Sequence, residues 1–172
     1  MTDDRPRAPY AADERATLIG FLDQYRATFR WKAGGLDAHQ LDQSLPPSEL
    51  TLGGMVKHLA FVEDWWFGRM LRDVQVEPWA SVDWGSDGDW DWHSAADDTP
   101  EQLWELYDET VRRSEQAVRD CESLDHHAAR RTHGTDEPIS LRWIVVHMIE
   151  EYARHVGHAD LIRQSIDGSL GQ

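Results

Sequence analysis

The stretch HMIEEYARHVGH, residues 147–158, belongs to the segment from which the fold of this chain can be inferred. From Ser140 to about Ser165, apolar residues recur at the three- and four-residue spacing of a helix that buries one face. Glu151 and His155 fall on that same face, one turn apart. The sequence therefore predicts a long amphipathic helix that carries a carboxylate and an imidazole into the core. The apolar positions are Leu141, Ile144, Val145, Met148, Tyr152, Ala159 and Ile162.

A carboxylate among apolar neighbours is costly unless a positive charge lies beside it. Side chains at i and i+4 lie one above the other, so Glu151 and His155 can share one metal ion. His58 is the best-placed third ligand, since it lies on the flank of the apolar face of an earlier predicted helix. Two imidazoles and one carboxylate suit zinc, nickel, manganese or iron(II) and leave coordination positions open, as in catalytic sites.

Periodicity alone leaves other interpretations open. Both histidines could be hydrogen-bonded core residues, with Glu151 paired to an arginine. His147 lies about 12 Å along the helix from His155, so these two cannot bind one ion. His147 or His158 can instead line the pocket or hold a ligand in place.

Composition limits the function classes. The 172 residues fit one domain, 1–172, and the formal charge of −15 argues against nucleic acid or an anionic membrane as a partner. A single cysteine, Cys121, excludes an intrachain disulfide and argues against a thiolate-rich zinc site. Since no stretch approaches the roughly 20 apolar residues of a membrane span and no signal peptide is visible, we expect a soluble, cytoplasmic protein.

The remaining pattern predicts an all-α domain. Residues 1–9 are expected to form a flexible arm, and Gly34-Gly35 to end the first helix. Thr99 followed by Pro100 marks the start of the third helix. The connector after that helix contains His133 and other histidines, which we regard as a weak candidate for metal binding. The predicted helices cover residues 12–33, 48 or 51 to 72, 99–123 and 140–165.

The segment 73–98, between the second and third helices, is rich in aspartate and tryptophan and lacks helical periodicity. Loops of this length in small domains are uncommon and are often lids or binding loops. We expect its tryptophans to fold back onto one end of the helices, either as a packing clamp or as the wall of a substrate pocket. They are Trp79, Trp84, Trp90 and Trp92.

Three segments resemble the DinB-like superfamily: GMVKHLAFVE at 54–63, WDW at 90–92, and IVVHMIEEYARHVGHAD at 144–160. The resemblance spans about residues 12–166. It is nearest to the branch named for a mini-circle protein, with the N-terminal domain of mycothiol-dependent maleylpyruvate isomerase as a relative.

The resemblance implies an up-down-down-up four-helix bundle, often dimeric, so a homodimer is expected. It also implies a divalent metal, zinc first among the candidates, held by His58, Glu151 and His155. Many members have His-x-x-x-His on the last helix, whereas this chain is similar to the Glu-x-x-x-His variant of the isomerase branch. Gly157-His158 replaces the Gly-Gln of many members, which puts the role of that glutamine in doubt.

The function expected from this resemblance is a metal-dependent S-transferase that acts on a low-molecular-weight thiol such as mycothiol. Trp90, Trp92 and Arg154 are the candidate substrate-binding residues. One alternative is a hydrolase that uses metal-bound water, with Glu150 or His158 as general base. Another is a non-catalytic bundle in which the tryptophans bind a small apolar ligand.

Overall fold

The computed structural model describes residues 5–131 and 136–170, and every regular element in these ranges is helical. A π-helical stretch, Asp64–Met70, extends α3, and a 3₁₀ turn, Ser94–Asp97, extends α4. The predicted all-α class is confirmed. The helices are α1 Glu14–Ala33, α2 Ala38–Leu41, α3 Leu52–Glu63, α4 Trp90–His93, α5 Pro100–Asp120 and α6 Leu141–Asp167.

Each long helix begins at a side-chain cap. The Thr99 hydroxyl accepts a hydrogen bond from the Gln102 backbone amide, and the Thr99 backbone amide donates to Oε1 of the Gln102 side chain. The helix α6 begins where predicted, with Ser140 as its cap, and Thr51 caps α3, which decides between the two starts considered for that helix. Such caps satisfy amides that have no partner within the helix, so short-range sequence places these starts well.

The helices α1 and α6 run in the same direction. Arg142, at the start of α6, contacts Glu14 at the start of α1, and Asp160 near the end of α6 pairs with Lys32 near the end of α1.

The helices α3 and α5 are also parallel to each other. The side chain of Leu103 lies beside Gly53, and the Ser114 hydroxyl donates to the carbonyl of Glu63, 3.4 Å away.

Contacts between α3 and α6 run in the opposite order. The rings of His58 and His155 are 5.0 Å apart, while Trp66, later in α3 and its extension, contacts His147, earlier in α6, at 4.8 Å. Taken together, the three pairings give the expected up-down-down-up order of the four long helices.

The core contains the whole apolar face predicted for α6, and also a charged group that the sequence did not predict. Arg26 donates from Nε and Nη2 to the two carboxylate oxygens of Glu63, at 2.7 and 2.8 Å. The Tyr152 hydroxyl donates to the same carboxylate at 2.8 Å, and the Tyr107 hydroxyl lies 2.9 Å from that of Tyr152. Because every polar atom in this group has a partner, the fold tolerates its burial.

The segment 73–98 is more ordered than its sequence pattern predicts, since it contains α4 and the 3₁₀ turn. Its tryptophans fold back onto α3, as expected. Trp79 is buried and lies 5.3 Å from the ring of Phe61, and Trp84 stacks on the same ring at 4.5 Å.

Part of the predicted arm, residues 5–9, lies against α1, where the Ala8 amide donates to Gln24. The first four residues of that arm, and His133, lie outside the described residues. Within the described ranges, no helix is long and apolar enough to cross a membrane.

Candidate metal centre

The structure brings together the three side chains selected from the sequence. His58 on α3 and Glu151 and His155 on α6 each offer one donor atom, and these atoms all lie within 4.8 Å of one another. His155 Nε2 is 3.5 Å from Glu151 Oε2. The arrangement follows from the helical spacing of the α6 pair and from the antiparallel packing of α3, which presents His58 to that pair.

A buried carboxylate orients His58. The Nδ1–H of His58 donates to Oδ2 of Asp91 at 2.7 Å. In a neutral imidazole this tautomer places the lone pair on Nε2, where a metal ion can bind. Asp91 is buried on α4, and the next residue, Trp92, stacks on the His58 ring at 4.3 Å with 23° between the planes. Imidazoles that ligate metals are commonly held by a carboxylate in this way. The sequence did not identify Asp91, because it is one of many aspartates in its segment and is distinguished only by its flanking tryptophans.

Gly54 allows Trp92 to reach this position. A Cβ atom at Gly54 would lie 3.0 Å from Cε3 of the Trp92 indole, closer than ordinary van der Waals contact. Glycine costs roughly 1 kcal/mol in a helix interior relative to alanine, so its presence here reflects the close approach of the ring.

His155 is buried, and it is neutral at physiological pH. Burial is the main cause that lowers its pKa to about 3, and the neighbouring His58, His158 and Arg154 contribute to the same lowering. Its Nδ1 is buried without a hydrogen-bond partner among the described residues. Buried polar atoms without partners are rare in native proteins and often mark a functional site.

Glu151 is mostly buried, with 13% of its side chain exposed, yet its contacts with positive or imidazole groups are long. The nearest nitrogens of His155, His147 and Arg154 lie at 3.5, 3.7 and 3.8 Å from its carboxylate. Each distance exceeds that of an ordinary hydrogen bond. The Glu151 carboxylate is thus largely desolvated and lies beside two imidazoles. His58 is held by Asp91, and His155 is neutral. These three groups fit the ligand set of a divalent metal ion.

A second group of possible ligands, His147, Glu150 and Glu151, lies next to the first. Arg154 forms a close ion pair with Glu150 of this group, so a positive charge already lies beside that carboxylate. His147 stacks on Trp143, with ring centroids 5.0 Å apart. Glu150, a candidate general base, is about half exposed and is paired with Arg154.

The other candidate residues differ in their distance from the cluster. The ring of His158 is 5.7 Å from that of His155, and its Nδ1 is buried without a partner in the described part of the chain. Trp92 lies on the cluster, whereas the ring of Trp90 contacts Trp79, Trp84 and the ammonium group of Lys57.

Comparison with known proteins agrees with this structure. The family model described as mycothiol-S-transferase matches residues 17–168, which confirms the resemblance to the DinB-like superfamily. The crystal structure of the conserved protein of locus from Enterococcus faecalis has a similar fold, with a TM-score of 0.69 and 15% sequence identity. The alignment covers 92% of this chain and 100% of that one. A search of curated proteins gave no significant match.

Proposed function

The chain belongs to the mycothiol-S-transferase family, and from this premise we propose that it is a metal-dependent enzyme that transfers a mycothiol-type thiol to an electrophile. The observation that carries the proposal is the convergence of His58, Glu151 and His155, with Asp91 orienting the first of them. Three protein ligands leave coordination positions for a substrate, which distinguishes such a centre from a closed structural site.

The three side chains would hold a divalent ion, with zinc as the expected metal. When bound, such an ion lowers the pKa of a coordinating thiol, so that the sulfur is a thiolate nucleophile at neutral pH. The neutral state of His155 supports this role, because a protonated imidazole cannot ligate a metal.

The surrounding residues keep the ligands in place and limit access of water. Asp91 holds the proton on His58 Nδ1, so that Nε2 faces the cluster as an acceptor. Trp92 covers one side of the His58 ring. We propose that Trp92 and the half-exposed guanidinium of Arg154 contact the thiol substrate on either side of the ligands.

Purified protein tests the proposal through its metal content and activity. We expect about one equivalent of divalent metal by elemental analysis. In His155→Ala we expect loss of the metal and of the reaction in which the mycothiol sulfur replaces the halogen of a haloalkyl electrophile and releases halide. His39→Ala is the matched control, because His39 is an exposed histidine on α2 whose Nδ1 lies 3.1 Å from the Gln43 side chain, outside the cluster. Full metal content and activity in His155→Ala would overturn the proposal.

The same assay distinguishes the alternative functions. Metal-dependent turnover of an ester without any thiol would indicate a hydrolase. A metal-free protein that binds the thiol but does not transfer it would indicate a binding protein.

A further inference from the structure

Lys57, the residue before His58 on α3, is buried, and its ammonium group contacts only one short segment in the contacts that the structure describes. Its Nζ forms an ion pair with Asp98 and donates to the Ser94 carbonyl at 3.2 Å. The same Nζ lies 4.5 Å from the ring centroid of Trp90. All three partners belong to residues 90–98, which form α4, the 3₁₀ turn and the residue after it. We call residues 90–98 the clamp segment.

The clamp segment also carries both residues that contact His58. Asp91 accepts the hydrogen bond from His58 Nδ1, and Trp92 stacks on the His58 ring. Consecutive residues of α3 therefore hold the segment: His58 contacts Asp91 and Trp92, and Lys57 contacts Trp90 and the later residues Ser94 and Asp98.

Burying an ammonium group is energetically unfavourable if its only role is to fill space in the core. Taking a lysine and a carboxylate out of water costs several kcal/mol, and apolar side chains of similar volume often stabilise a protein as well or better. The ion pair and the bond to the Ser94 carbonyl are directional, however, and together they define where the segment sits along α3. We infer that Lys57 is a positioning residue for the candidate metal centre: it sets the position of Asp91 and Trp92 against His58. The consequence for metal binding rests on the proposed function.

Lys57→Met tests this inference, because methionine keeps most of the length and removes the charge. Lys32→Met is a matched control. Lys32 is as deeply buried, pairs with Asp160 and lies 4.6 Å from the ring centroid of Trp31, but it joins α1 to α6 and not α3 to the clamp segment.

The first measurement uses cobalt(II) as the metal, since its visible absorption reports ligand geometry. Loss of an outer-shell partner typically weakens metal binding 10–100-fold, and we expect Lys57→Met to release cobalt to a chelator faster by up to this factor, with a shifted visible spectrum. Lys32→Met should leave the spectrum and the release rate unchanged, although it also lowers stability. A wild-type spectrum and release rate in Lys57→Met would overturn the inference.

A double-mutant cycle shows whether Lys57 acts through Asp91. In an Asp91→Asn background the contact that Lys57 positions is already altered, so Lys57→Met should add less than it does alone. Fully additive effects on cobalt release would contradict the route through Asp91.

Hydrogen exchange of the metal-free protein separates this inference from the proposed function. Lys57→Met should speed exchange of the clamp-segment amides selectively, and Lys32→Met should not. If the wild-type protein binds no cobalt but Lys57→Met still exchanges faster in the clamp segment, the role of Lys57 in holding that segment is supported and the metal site is overturned. Unchanged exchange in Lys57→Met would overturn the inference that Lys57 holds the clamp segment. If Lys57→Met does not fold, Asp98→Ala removes the more exposed partner of the ion pair and should change exchange and cobalt release in the same direction.

Discussion

Replacing Arg26 with methionine should lower the free energy of unfolding by about 3–5 kcal/mol, the usual cost of removing one partner of a buried ion pair. We expect a loss of this size because the Arg26–Glu63 pair is buried and closely hydrogen-bonded. The side chain of Glu63 is 0% exposed and that of Arg26 is 8% exposed, and two hydrogen bonds of 2.7 and 2.8 Å join them. Without Arg26, the Glu63 carboxylate would remain buried with the Tyr152 hydroxyl as its nearest described partner.

The double variant Arg26→Met/Glu63→Leu should recover most of this loss. Apolar pairs often replace buried ion pairs at no cost, or with a gain of 1–4 kcal/mol. Tyr152 loses its acceptor, which costs about 0.5–1.5 kcal/mol, although its hydroxyl keeps the contact with Tyr107. We therefore expect the double variant to lie within about 2 kcal/mol of wild type.

Urea unfolding monitored by circular dichroism measures these differences in the free energy of unfolding. We expect the same m-value for all variants, so that a shift in the midpoint reports a change in stability. The control is Arg30→Met, on the same helix, since Arg30 pairs with Asp108 with about half of each side chain exposed. Exposed pairs contribute about 0–1 kcal/mol. Equal losses in Arg26→Met and Arg30→Met, or a double variant that loses the sum of its two single variants, would refute the reasoning.

Three further changes test the site and the helix starts. Gly54→Ala should displace Trp92 from His58 and weaken metal binding, seen as a changed tryptophan fluorescence spectrum and a higher metal dissociation constant; wild-type values would contradict the close approach at Gly54. Thr99→Ala removes the cap and one side of the capping box of α5 and should cost about 1 kcal/mol, a fall of about 2–4 °C in the thermal midpoint, whereas an unchanged midpoint would show that the cap contributes little. Treatment with a chelator should lower the thermal midpoint, and zinc at about 100 times its dissociation constant should restore about 2.7 kcal/mol; a midpoint insensitive to both would argue against a bound metal.

The helices and their starts were largely predictable because the signals are local. Thr99 and Ser140 each bond an amide three residues away, so the residues that decide a cap are adjacent in the sequence. The apolar face of α6 repeats with the period of the helix, which is why its buried residues could be named in advance. Glu151 and His155 lie one turn apart for the same reason.

The contacts that shape the site could not be derived in this way. Asp91 is 33 residues from His58, Asp98 is 41 residues from Lys57, and Glu63 is 37 residues from Arg26. Contacts between distant residues follow no local period, and an aspartate that holds a ligand has the same sequence signature as its exposed neighbours in an acidic loop.

By itself, the sequence determined the class of the fold, where α5 and α6 begin, and the pair of donors on one face of α6. Only the tertiary structure decided which aspartate orients His58 and which lysine holds the segment that carries it. The physical reason is that hydrogen bonding and helical periodicity act within a few residues along the chain. The choice among distant polar partners is made instead when the helices pack and exclude water from them.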